Sequence, residues 1–188
     1  MDESKIAATI DWTVRRGLAG DDEIGLLTGF CTRCVNAGLG LSRGTAIIDT
    51  LHPVYEGRVF SWNRNNPLDA KVSEYEPISA GANEESWRNS PFYHLLQGGK
   101  EEFRQRLGAG DTFDFEILDE LREEGQTDYF ALVQRFDDGA AIGEMDCFMS
   151  RWTTDRPGGF SDAEIAALRR LVPVLGLAIK SASLARVS

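Results

Sequence analysis

The stretch TDYFALVQRFDDGAAIGEMDCFMSRWT, residues 127–153, decides the fold class. Residues 127–136 are one β-rich run, Asp137-Asp138-Gly139-Ala140 supplies a turn, and residues 142–153 are a second run. In the second run Met145, Cys147 and Met149 alternate with Glu144, Asp146 and Ser150. That is the period of a half-buried strand with one wet face. Two such runs around an Asp-Gly turn predict an antiparallel hairpin. A different periodicity follows. Arg156-Pro157-Gly158-Gly159 is turn chemistry, Ser161 and Glu164 form a capping box, and Phe160 with Ile165 forms a hydrophobic staple. Ile165, Leu168, Val172, Leu175 and Ile179 then step by threes and fours, a heptad seam, while Leu171, Val174 and Ala178 mark a second apolar edge. A long C-terminal helix over 161–188 is predicted, packing one edge on the sheet and pairing the seam with a second copy. Pro173 is expected to bend this helix without ending it.

Working outward, Ile6, Ile10, Val14 and Leu18 recur every four residues, so residues 1–20 hold an amphipathic helix. Asp21-Asp22 offers an N-cap for a second helix, striped by Ile24, Leu27, Phe30, Cys31, Cys34 and Val35, with Gly38 at its end. Thr45-Ala46-Ile47-Ile48-Asp49 and Val59-Phe60-Ser61-Trp62 read as an antiparallel pair. Residues 63–86 are polar and rich in Asn and Pro, too long for a hairpin, and are expected to be a lid or gate. Ser90-Pro91 starts a short helix that Gly98-Gly99 ends. Residues 111–124 hold seven acids and one arginine and read as strand passing into helix, with Gly125 as the stop. The whole is an α+β chain, an antiparallel sheet flanked by helices, with a core over 21–160.

Charge narrows the partners. With 20 basic and 30 acidic side chains the net charge is −10, which argues against nucleic acid, whose phosphates are bound by clustered Lys and Arg. No apolar run approaches the ~20 residues of a membrane span. The first residues lack the basic and apolar regions of a signal peptide, and three cysteines are too few for a disulfide framework. A cytoplasmic setting is expected.

Catalytic signatures are missing: no phosphate-binding loop, no nucleophile elbow and no zinc-protease helix. No catalytic residue and no metal site is assigned. Cys31-x-x-Cys34 would need two further zinc ligands, and only Cys147, His52 and His94 exist, scattered singly. On one helical face the two thiols read as small buried hydrophobes. His94, among Trp87, Phe92 and Tyr93, reads as a half-buried histidine, with a ligand contact as the functional alternative and haem ligation a minor one. Phe60, Trp62 and Tyr129 could equally line a cavity or fill the core. The candidate ligand-binding set is therefore Phe60, Trp62, Trp87, Phe92, Tyr93, His94 and Tyr129, with no cofactor named.

Several separated blocks carry a family likeness. They are Asp49-Thr50-Leu51-His52-Pro53 with Tyr55-Glu56-Gly57-Arg58, and Trp87 with Ser90-Pro91-Phe92-Tyr93-His94-Leu95-Leu96. Thr127-Asp128-Tyr129, Gly143-Glu144-Met145 and the run from Thr154 to Asp162 complete the set. Together, over about residues 22 to 186, the chain resembles the GAF-like N-terminal regulatory region that precedes the catalytic domain of bacterial class III adenylate cyclases. That resemblance implies a sensor that binds a small-molecule effector and controls a following cyclase domain, not present in these residues, through a homodimeric helix pair. Two other readings stand beside it. One is a structural dimerisation spacer without ligand. The other is a small enzyme using His94 and Asp128.

Overall fold

Six strands form one sheet in the order β3-β2-β1-β6-β5-β4, every neighbouring pair antiparallel. They are β1 (Arg43–Ile48), β2 (Gly57–Asn63), β3 (Lys71–Tyr75), β4 (Glu102–Arg106), β5 (Asp128–Arg135) and β6 (Cys147–Thr154). The helices are α1 (Glu3–Leu18), α2 (Glu23–Asn36), α3 (Ala82–Arg88), α4 (Pro91–Gln97), α5 (Glu116–Glu123) and α6 (Asp162–Val187). This computed structural model describes residues 1–48, 57–75, 82–136 and 147–187.

The hairpin of β5 and β6 is in place, in a register that sets Asp128 opposite Thr154 and Arg135 opposite Cys147. Its wet face is not. Phe148 is 1% exposed and Ser150 is fully buried, because helices cover both sides of the sheet. Glu144, Met145 and Asp146 lie outside the described residues, as do the turn at 137–140 and His52. One face of the sheet packs Ala46, Ile48, Phe60, Trp62, Phe130, Phe148 and Trp152 against α1, α2 and α6. The other face turns Tyr129, Ala131, Val133, Cys147 and Met149 toward α4 and α5.

Helix starts follow local chemistry. Asp2 accepts from Lys5 N at 2.9 Å, Asp22 from Gly25 N at 2.7 Å and Ser90 from Tyr93 N at 3.3 Å. The capping box of α6 is reciprocal: Ser161 N donates to Glu164 Oε1 at 2.8 Å and Glu164 N to Ser161 Oγ at 3.1 Å. Just before it Gly158 and Gly159 have φ of +87° and +79°, and a Cβ on Gly159 would lie 2.9 Å from that of Asp128.

Three further expectations change. Residues 63–86 are not one lid, since they include the edge strand β3 and the start of α3, and residues 76–81 lie outside the described residues. The acidic stretch holds no strand; α5 begins at Glu116 with Phe115 at its N-cap, and the extra strand is β4, upstream. The heptad seam is not free for a partner. Ile165, Leu168, Val172, Leu175 and Ile179 are each at most 2% exposed within the chain's own core, because the sheet, α1 and α2 enclose α6 between them. Helix α6 runs unbroken past Pro173.

Three links tie α6 to its surroundings. At its start, Glu164 accepts from Gly40 N at 2.8 Å and pairs with Arg156. At mid-length, Gln134 donates to the Pro173 carbonyl at 3.2 Å, and a Cβ on Gly176 would lie 2.8 Å from Phe148. Near its end, Ser183 and Arg186 converge on buried Glu23 of α2 at 3.1 and 3.0 Å.

Candidate ligand cavity

A cavity of about 410 Å³ opens on the α4–α5 face of the sheet. Two strand residues reach it. Arg151 stands on β6 directly across from Ala131 on β5 and Thr45 on β1, and Tyr129 sits diagonally from it on the same face. The helices supply the walls: Pro91 and Phe92 from the start of α4, Ile117 from α5. Glu85 of α3 with Glu116 and Glu120 of α5 stand on the exposed side.

Tyr129 is fully buried, and its hydroxyl has no hydrogen-bond partner among the described residues. A buried hydroxyl left unpaired costs roughly 1–3 kcal/mol, so it is a group to be explained. Burial pushes this phenol up to about 12, against the opposing pull of the Arg151 charge. The hydroxyl therefore remains a neutral donor at any physiological pH. Arg151 forms no ion pair among the described residues, although it projects from a central strand. A guanidinium fork beside an unpaired phenol can receive a carboxylate or another planar oxyanion.

The seven residues singled out from sequence do not share one place. Phe92 and Tyr129 line the cavity. Trp87, Tyr93 and His94 form an edge-to-face series beside it, with centroid spacings of 6.2 and 6.3 Å, and His94 continues it onto Phe115 at 5.0 Å. His94 is exposed, not half-buried, because α4 turns Phe92, Leu95 and Leu96 inward instead. Phe60 and Trp62 lie on the opposite face of the sheet, in the core under α2 and α6. Sequence reasoning missed Arg151 and the three glutamates. A lone arginine at an inward position of Cys147-Phe148-Met149-Ser150-Arg151-Trp152 was the available signal.

Asp128 is structural. Arg104 pairs with its carboxylate at 2.9 Å, Phe160 N donates to it at 2.9 Å, and the residue is fully buried. Its oxygens are thus taken by groups other than His94. Cys31 and Cys34 are fully buried, and burial holds the Cys31 thiol well above its ordinary value and that of Cys34 up to about 12. They pack as small hydrophobes beside Phe30. Among the described residues no three His, Cys, Asp or Glu side chains gather as metal ligands, and no helix is long and apolar enough to cross a membrane.

No protein-family model and no curated protein matches the chain. Solved structures do. The phycoerythrobilin-bound GAF domain of a cyanobacterial phytochrome superposes with a TM-score of 0.62 at 14% identity, covering 96% of this chain and 97% of that one. The fold is GAF-like. The phycocyanobilin-bound GAF domain of a cyanobacterial phytochrome gives 0.61 at 15% identity, with 96% of each chain covered. The chromophore-binding domain of a bacteriophytochrome from R. palustris gives 0.52 at 11% identity, covering 98% of this chain and 64% of that one. At these identities the GAF-like likeness concerns the architecture: an antiparallel six-stranded sheet between helical layers, closed by a long C-terminal helix.

Proposed function

We propose that the chain is a sensory domain that binds a small molecule between the sheet and α3–α5 and passes the binding event to α6. The observation that carries this reading is a cavity of about 410 Å³ lined by Arg151, which forms no ion pair among the described residues, and by Tyr129, whose buried hydroxyl has no hydrogen-bond partner among them. Ligand sites fall in the ~300–1,000 Å³ range and combine apolar walls with a few convergent polar groups. Strand β6 supports the coupling: it carries Arg151 toward the cavity and Phe148, three residues away, against Gly176 of α6. A ligand shifts α6 only as far as it prefers one arrangement over another.

The output is a homodimer that sets the geometry of a following catalytic domain, which the resemblance described above makes a class III adenylate cyclase. The pairing face is re-sited from the buried seam to the outer side of α1 and α6. These helices run in parallel: Arg170 pairs with Glu3, and farther along Gly17 abuts Ala178. The helical repeat then turns Val14, Leu18, Leu177 and Leu184 to one side, where they are 45%, 85%, 58% and 46% exposed.

Native mass spectrometry of the purified protein, compared with its denatured mass, tests both halves. A dimer carrying a releasable small-molecule mass is expected. A ligand-free dimer would favour the spacer reading, and a bare monomer would remove the helix-pair output.

A further inference from the structure

Granted the ligand-cavity reading, the charge layout of the cavity selects among ligands. Arg151 makes the sheet side cationic, and Tyr129 lines it with a buried hydroxyl that has no hydrogen-bond partner among the described residues. The open side is anionic: Glu85, Glu116 and Glu120 are exposed and form no ion pair among the described residues. Phe92 and Ile117 supply apolar wall between the two.

We propose that the cavity takes a small zwitterion with an apolar middle, its carboxylate on Arg151 and Tyr129 and its ammonium among Glu85, Glu116 and Glu120. The guanidinium fork matches a carboxylate with two parallel N–H···O bonds, and the neutral phenol adds a third donor. A compound with only an anionic end leaves the glutamates unanswered. A dianionic phosphate is worse, since it must pass three carboxylates on a chain of net charge −10. A compound with only an amine offers Arg151 and Tyr129 no acceptor. Satisfying both ends rejects each half-ligand, because a polar group built to be paired discriminates against the analogue that lacks its partner.

Calorimetric titration of the whole chain with 6-aminohexanoate, hexanoate, hexylamine and inorganic phosphate tests this, with the Tyr129 amide and Arg151 Nε–H followed by NMR. 6-Aminohexanoate is expected to bind at least about tenfold tighter than any of the other three, since one added charged hydrogen bond carries roughly that factor, and to shift both signals. Glu116→Gln with Glu120→Gln should weaken 6-aminohexanoate severalfold and leave hexanoate unchanged or tighter. Arg151→Gln should remove binding, and Arg151→Lys, which keeps the charge without the fork, should weaken it. Equal or tighter binding of hexanoate or phosphate overturns the zwitterion and leaves the ligand cavity standing. Silence of both NMR signals toward all four compounds overturns the zwitterion too. Joined to a native mass that shows polypeptide alone, that silence takes the cavity reading with it.

Discussion

Asp128 illustrates how a buried charge is kept. Its carboxylate joins Arg104 of β4 to the Phe160 amide at the approach to α6, and Gly159 leaves the space it occupies. Removing one partner of such a pair leaves the other uncompensated, at a cost of about 3–5 kcal/mol. Urea unfolding of Asp128→Ala should therefore lose stability on that scale; a loss below 1 kcal/mol would mean the pair is solvated. Glu164 adds a pH dependence. Burial opposes its ionisation, but the amides of Gly40 and Ser161 and the Arg156 charge outweigh that and hold its carboxyl below the ordinary value of 4.5. A group depressed on folding stabilises above its unfolded pKa and loses that contribution as pH falls through the folded one. Thermal unfolding of the wild type should thus weaken below about pH 4.5, where Glu164→Gln should show a flatter profile.

Among elements, α6 is the informative case. Its threes-and-fours spacing was legible in sequence, but a helix enclosed by a sheet and by α1 and α2 produces the same pattern as a coiled-coil seam. Hydrophobic period records burial and not what does the burying. Substitution separates the two: Leu175→Asp, at 0% exposure, should prevent folding, whereas Leu177→Asp, at 58%, should leave the melting temperature nearly unchanged and shift the proposed dimer toward monomer in sedimentation. Gly176 marks where β6 presses on α6. Gly176→Val should destabilise by about 1–3 kcal/mol, because the added atoms meet Gln134 and Phe148; a neutral result would show the helix free to lift. The hairpin and the caps at Asp22, Ser90 and Ser161 were readable because each is written in local chemistry. Strands β3 and β4 were not, because KVSEY and EFRQR at the sheet edges carry charge where a central strand carries apolar residues.

At the scale of the molecule, the candidate site was half legible. Phe92 and Tyr129 could be named because aromatic residues near a short helix suggest a wall. Phe60 and Trp62 look identical in sequence, and only the register of β2 against β1 assigns them to the other side of the sheet. Arg151 depended on the same parity, one step from Ser150 and Trp152, whose side chains hydrogen-bond each other in the opposite core. That parity also limits what the sheet can transmit. A slip of β6 by a single residue would drive the Arg151 guanidinium into the core under α6 and turn Trp152 out into the cavity, and every neighbour would change sides with them. Sliding is therefore closed to this strand as a means of signalling. On the sensory reading proposed above, whatever passes from the cavity to α6 arrives as a tilt or a change of twist, with the ladder to β1 and β5 intact, at the close contact of Phe148 with Gly176.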